Sequence, residues 1–211
     1  MSIETGFGVA LGFLFGIIGH EVVQHRVAFA LGDKTPRLMG RMQFSPKAHF
    51  DPLGTAILPG IFTVAALFSN PLTPMFGWGK RHAINPSAFR DPRKGVIISS
   101  LSGPVTNALI ALVSGRLAAS IGAGSTSGRI LLWVSLVNLF LMIIEILPIP
   151  GRDGARILAL FLSPSAAAKL DDLAQYEILF LLVIFLFLGG VVNNMVRVAC
   201  GPIAGLERLV C

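Results

Sequence analysis

An apolar stretch from Gly6 to Leu31 carries two ionisable residues side by side, His20 and Glu21. This pairing constrains the fold more than any other feature of the chain. The stretch is long enough to cross a bilayer as a helix, which takes about 20 residues. A charged group within such a helix is expensive, so it faces a protein interior or a watery cavity and by default marks a functional site. The helix must therefore sit inside a bundle. Further apolar runs at 95–122, 129–149 and 176–200, with a shorter one at 54–70, supply the rest of it. Only 13% of the residues are charged, where a soluble domain has about 25%. The expectation is an all-α polytopic membrane protein with about five or six membrane segments. It forms one domain over residues 1–211.

The net charge of +6 reads as basic loops beside anionic lipid, not as a nucleic-acid surface. The expected partners are the lipid bilayer and a membrane-embedded protein substrate, with no nucleic acid. The first apolar run has no basic leader before it, and it carries His20 and Glu21, so it is not read as a cleavable signal. Cys200 and Cys211 are too few for a disulfide framework or a thiolate zinc knuckle.

Residues Gly19-His20-Glu21-Val22-Val23-Gln24-His25 hold the first half of a zinc-hydrolase motif. In that motif a second histidine follows four residues after the first, about 40° round the helix, so both imidazoles reach one ion. Here Gln24 stands at that position and a histidine comes one step late. His25 lies about 140° round the helix from His20 and reaches the same ion only through a bulge.

The first helix is rich in glycine, at Gly6, Gly8, Gly12, Gly16 and Gly19, and small residues every four positions suit close helix packing. Gly32-Asp33 ends that helix. Residues 33–53 are polar and basic, with alternating pieces such as Arg41-Met42-Gln43-Phe44, and read as a membrane-edge loop with a β-hairpin. His49 and Asp51 have ligand chemistry, but Pro52 beside them favours a solvated turn. The segment 54–70, interrupted by Pro59 and Gly60, reads as a short kinked span or a re-entrant hairpin. Basic residues on both sides of it, Arg37 and Arg41 before, Lys80 and Arg81 after, favour the hairpin, because both loops then lie in the cytoplasm. Pro71 opens a loop to residue 94 in which Trp78 suits an interface anchor. Asn107, three residues after Pro104, places an amide in the next helix, free to bond a substrate backbone or a neighbouring helix. The helix after that ends in Glu145 and the run Leu147-Pro148-Ile149-Pro150-Gly151-Arg152-Asp153-Gly154, which presents Asp153 on irregular backbone.

Taken in order, these pieces resemble the site-2 protease family of intramembrane zinc metalloproteases, in particular its short bacterial members. The resemblance rests on His20-Glu21 with Leu31-Gly32-Asp33 and Gly40-Arg41, then His49-Phe50-Asp51-Pro52-Leu53-Gly54-Thr55. It continues through Gly77-Trp78-Gly79-Lys80, Asn85-Pro86, Gly103-Pro104 with Asn107, Leu147-Pro148-Ile149-Pro150 and Asp153-Gly154-Ala155-Arg156. It implies a multi-pass protein of the bacterial plasma membrane and a zinc ion. His20 and Asp153 would be ligands, Glu21 the general base, and Asn107 a group holding the extended substrate strand.

Two positions depart from the family pattern. Gln24 replaces the second ligating histidine, and Glu145 stands where the family has an asparagine. The two changes are compatible with compensation: Glu145 supplies the missing ligand beside His20 and Asp153, giving an oxygen-rich site open to other divalent metals. The opposing reading has Glu145 protonated or paired with an arginine. Three functions fit in descending order: a metalloprotease with an altered metal site, an inactive pseudoprotease that binds transmembrane helices, and a small transporter or proton relay.

Overall fold

The computed structural model describes residues 3–68, 74–80, 84–122 and 124–205. Residues 69–70, Pro71, Arg81 and Cys211, all read above, lie outside them. The described residues are helical and irregular, with no strand among them. Three helices are long and apolar enough to cross a membrane: α1 (Ile3–Ala30) and, under the labels α5 and α6 once the intervening short helices are placed, Pro92–Ile121 and Thr126–Ile146. A fourth span is added only if a sharply bent helix pair near the C-terminus counts as one, so the described residues hold three to four candidate spans where five or six segments are expected.

Between α1 and the second long helix the described residues form three short α-helices, a π-type stretch and a 3-10 turn at Pro86–Ala88. The segment expected to form a β-hairpin instead makes α2 (Thr35–Leu38) and α3 (Pro46–His49). Proline opens each, with its fixed φ suited to a first helical turn and its missing N–H leaving no orphan there. The alternation at 41–44 has no neighbouring strand to pair with. The next apolar segment is one continuous helical piece: wide π-type turns at Pro52–Ile57 pass into α4 (Leu58–Phe68). The Asp51 carboxylate caps its start by accepting from the N–H groups of Leu53 and Gly54 at 3.1 and 2.7 Å. No hairpin reversal occurs within it; the changeover from π to α geometry just before Pro59 absorbs that proline's missing donor.

The long helices α5 (Pro92–Ile121) and α6 (Thr126–Ile146) start at side-chain caps, Asp91 accepting from Lys94 N–H and Ser125 from Gly128 N–H. The helix α5 runs unbroken through Pro104 and closes at Gly122, whose φ of +92° suits glycine. Of the three spans α6 is central, with 72% of its most apolar window buried against 56% for α1 and 39% for α5. The glycine stripe of α1 explains how α6 comes so close. A Cβ added at Gly8 would lie 2.8 Å from the Ile130 carbonyl oxygen, and one at Gly12 would lie 2.7 Å from Val137 Cβ. Phe13, Trp133, Leu136, Val137 and Phe140 fill the core between these helices. Large apolar side chains on α5, including Val105, Leu109 and Val113, stay exposed, as expected of a face turned to lipid.

After α6 come α7 (Asp153–Ala159), α8 (Pro164–Asp172), α9 (Glu177–Phe187) and α10 (Gly189–Ala199). The sequence suggests one final helix over 176–200. The structure bends the chain by 81° at Leu188, where the following Gly189-Gly190 pair lowers helix propensity.

Candidate metal centre

His20, Glu21, Gln24 and His25 are all buried on α1, and they serve two different faces of it. The first face meets α5, α6 and α7. Gly151, at φ +88°, turns the chain after α6, and Gly154 packs so tightly against the carbonyl of Ile146 that a Cβ there would collide with it. This close return places Asp153 at the start of α7 beside α1. Its Oδ2 lies 3.1 Å from His20 Nε2. Ligand atoms on a tetrahedral ion with bonds of about 2.0–2.1 Å stand roughly 3.3 Å apart, so this pair already spans such an edge.

The state of His20 follows from a relay of buried amides. Asn138 Nδ2 donates to the backbone carbonyls of Gly12 and Val134, at 3.2 and 2.8 Å. Those oxygens only accept, so the amide nitrogen of Asn138 must face them and its Oδ1 must face Asn107. Asn107 Nδ2 donates to that Oδ1 at 3.2 Å, which turns Asn107 Oδ1 towards His20 Nδ1 at 3.0 Å. The Nδ1 position therefore carries the proton and donates it. Nε2, the nitrogen facing Asp153, is left as the ligating atom. Asn138 went unread in the sequence because a lone amide in an apolar helix has no local signature.

Gln24 does not take the place of a ligand in this arrangement. Its Nε2 donates to Asp153 Oδ1 at 2.6 Å, and Arg156 Nη1 reaches the same oxygen at 3.4 Å. Oδ1 is thereby held, and Oδ2 is left directed at His20. Glu145 pairs with an arginine: Arg152 Nη1 donates to its Oε1 at 2.8 Å, while Nη2 reaches Glu177 at 3.3 Å. The Arg152 guanidinium also lies 4.8 Å from the Trp78 ring centre. Glu145 Oε2, buried, has no hydrogen-bond partner among the described residues. Ligand atoms of His20, Glu145 and Asp153 all lie within 4.8 Å of one another. The donor set fits a divalent ion, with one nitrogen, two carboxylate oxygens, a fixed tautomer and a buried oxygen left over. Glu21 shares a small recess with His20, Glu145 and Asn107, under the extended segment Gly77–Gly79. A Cβ at Gly79 would lie 2.8 Å from the Glu21 carboxyl carbon, so only glycine lets that segment close over it.

The second face of α1 meets α3. His49 is not in a solvated turn but fully buried, its ring stacked on His25 with centroids 6.0 Å apart. Burial pushes its imidazole below the ordinary value, so it is neutral near pH 7. Nδ1 of His25 and of His49 lie 3.7 and 3.9 Å from Glu21 Oε2.

Comparison with known proteins finds relatives named as zinc metalloproteases. The chain is 30% identical over 176 residues to a Bacillus subtilis (strain 168) protein named "Putative zinc metalloprotease YwhC", covering 79% of this chain and 74% of that one. The chain belongs to this zinc-metalloprotease family. It is also 25% identical over 183 residues to "Putative zinc metalloprotease Rip2" of Mycobacterium tuberculosis (strain ATCC 25618 / H37Rv), over 84% of this chain and 66% of the relative. No protein-family model matches the chain, and no solved structure matches it. Within the family the His20 face is the natural candidate for the metal, since it joins the histidine of the truncated motif to Asp153 from a distant part of the chain.

Proposed function

We propose that this protein is a multi-pass metalloprotease of the bacterial plasma membrane, of the site-2 protease type, that hydrolyses peptide bonds of membrane-embedded protein substrates. The observation that carries the reading is the 3.1 Å approach of His20 Nε2 to Asp153 Oδ2, with the His20 tautomer fixed by Asn107. His20, Asp153 and Glu145 Oε2 would hold the ion, zinc by family. Such an ion, when bound, acidifies water and polarises the scissile carbonyl.

The remaining steps belong to the chain's own residues. Glu21, in the same recess, takes a proton from the attacking water and returns it to the leaving amine. Asn107 fixes the His20 ring, and Gln24 and Arg156 hold the spare oxygen of Asp153. Arg152 balances Glu145 and Glu177, so the carboxylates gathered here are not left uncompensated in the bundle. A substrate helix has to unwind locally before its peptide bond is accessible, because helical hydrogen bonds occupy the carbonyl and amide.

A binding-only pseudoprotease is the second reading. It draws on Gln24, which gives Asp153 a hydrogen bond but gives the ion no imidazole. Cleavage of single-span helical substrates in reconstituted vesicles decides between the two. Glu21→Gln is expected to lower the rate by at least ~100-fold with the fold intact. Cleavage unchanged in that variant removes the general-base assignment. No cleavage by the wild type, with helix binding retained in both proteins, establishes the pseudoprotease.

A further inference from the structure

The second face of α1 has the makings of a ligand site, built on two histidines that the hydrolytic reading does not use and on the carboxylate of Glu21. Glu21 and His25 are four residues apart, the same helical spacing that the zinc-hydrolase motif gives its two histidines. The histidine that comes one step late for His20 is thus in register with Glu21. His49 joins them from α3, and ligand atoms of the three residues all lie within 4.8 Å of one another.

The hydrogen bonding of His49 fixes its ring. Its Nε2 lies 3.0 Å from the backbone carbonyl of Gln43, which can only accept, so Nε2 carries the proton. Nδ1 is then a bare lone pair, buried and directed at Glu21 Oε2, with no hydrogen-bond partner among the described residues. His25 is stranger still. It is fully buried, and neither of its ring nitrogens has a hydrogen-bond partner among the described residues. An apolar side chain of the same size would fill that space without the cost of desolvating an imidazole. Two imidazole nitrogens at 3.7 and 3.9 Å from one carboxylate oxygen are spaced as ligands gathered round one ion.

We infer that Glu21, His25 and His49 form a second divalent-cation site, distinct from the His20–Asp153 face. Two imidazoles and one carboxylate are a donor set used by hydrolytic zinc centres, and it leaves a fourth position for water. Two nitrogens select a transition ion such as zinc over magnesium or calcium. The ion pins the α3 loop to α1, and so fixes the loop that leads into the Asp51 cap of the next apolar helix. The Gln43 carbonyl orients the His49 ring from behind, as outer hydrogen bonds do in metal sites. This site shares Glu21 with the proposed protease chemistry, so an ion here draws on the same carboxylate, and its zinc test stands whether or not cleavage is found.

The test is a zinc titration of the full chain, purified in detergent and stripped with chelator, with cobalt substitution as a spectroscopic check. Wild type is expected to show a class of zinc sites that His25→Leu and His49→Gln each weaken by at least ~100-fold, and that Asp153→Asn leaves in place. Wild-type zinc affinity and stoichiometry in both histidine variants overturn the inference. So does loss of all zinc from Asp153→Asn alone. The metal-free proteins give an independent readout. His25→Leu removes an unpaired buried imidazole, so its melting temperature without metal should equal or exceed that of wild type. A clear fall would mean His25 is satisfied without an ion, and would also overturn the inference.

Discussion

The two faces of α1 are built from the same kinds of residue and differ in how completely they are held. On the His20 face every ligand residue is held by an outer partner at its other polar atom. Asn107 and Asn138 set the imidazole, Gln24 and Arg156 hold Asp153, and Arg152 holds Glu145. On the Glu21 face His49 is oriented by the Gln43 carbonyl, whereas neither ring nitrogen of His25 has a hydrogen-bond partner among the described residues. The first face is organised by side chains from four helices, so it keeps its shape without a metal. The second depends on an ion to reconcile its groups. A preorganised site and a metal-organised site on one helix should respond differently to the same kinds of change.

The largest effect is expected at Arg152. This guanidinium is 2% exposed and serves both Glu145 and Glu177, so Arg152→Met leaves two carboxylates facing one another. A loss of about 3–5 kcal/mol is expected, measured by thermal or denaturant unfolding in detergent. The outcome sharpens the comparison if zinc binding that depends on His25 persists in whatever protein remains folded.

Gly103→Ala is the cleaner way to break the first face alone. Any Cβ at Gly103 collides with the His20 imidazole. Overpacking of this kind costs about 1–3 kcal/mol and pushes the ring off Asp153. Zinc bound through Asp153 should be lost and zinc bound through His25 and His49 retained. Equal loss from both classes would show that the two faces are one site.

Asn138→Leu should have the smallest effect on stability, about 0.6 kcal/mol, because interhelical hydrogen bonds in membranes are individually modest. Its effect on the metal should be disproportionate. Without Asn138 nothing fixes the Asn107 amide, and the His20 tautomer is free to change, so affinity at the first face should fall ~10–100-fold. A fall in stability with unchanged affinity would mean the relay only packs the helices.

Much of the architecture was legible in the chain itself. Apolar length marked α1, α5 and α6, because crossing a fixed hydrocarbon thickness requires a fixed number of residues. Glycines 8, 12 and 16 announced a close helix neighbour, and Val137 of α6 fills that position against Gly12. His20 and Glu21 stood out because a charge in an apolar helix needs a reason, and Asp153 through its irregular backbone and the family resemblance. Those inferences use information within one helix or one turn.

What the tertiary structure alone decided has the opposite character. Gln24 reads as a damaged ligand until Asp153 is brought 2.6 Å from it. Glu145 reads either as a compensating ligand or as a protonated or arginine-paired carboxylate until the break after α6 swings Arg152 back onto it at 2.8 Å. His49 reads as a solvated turn, and His25 as a misplaced copy of a motif residue, until α3 folds against α1 and buries both. The physical reason is that helix periodicity fixes which residues share a face, whereas burial and hydrogen-bond partners come from segments over a hundred residues away in some cases, as for Gln24 and Asp153. A sequence shows which groups can bind an ion; only the packed bundle shows which of them have been left without any other partner.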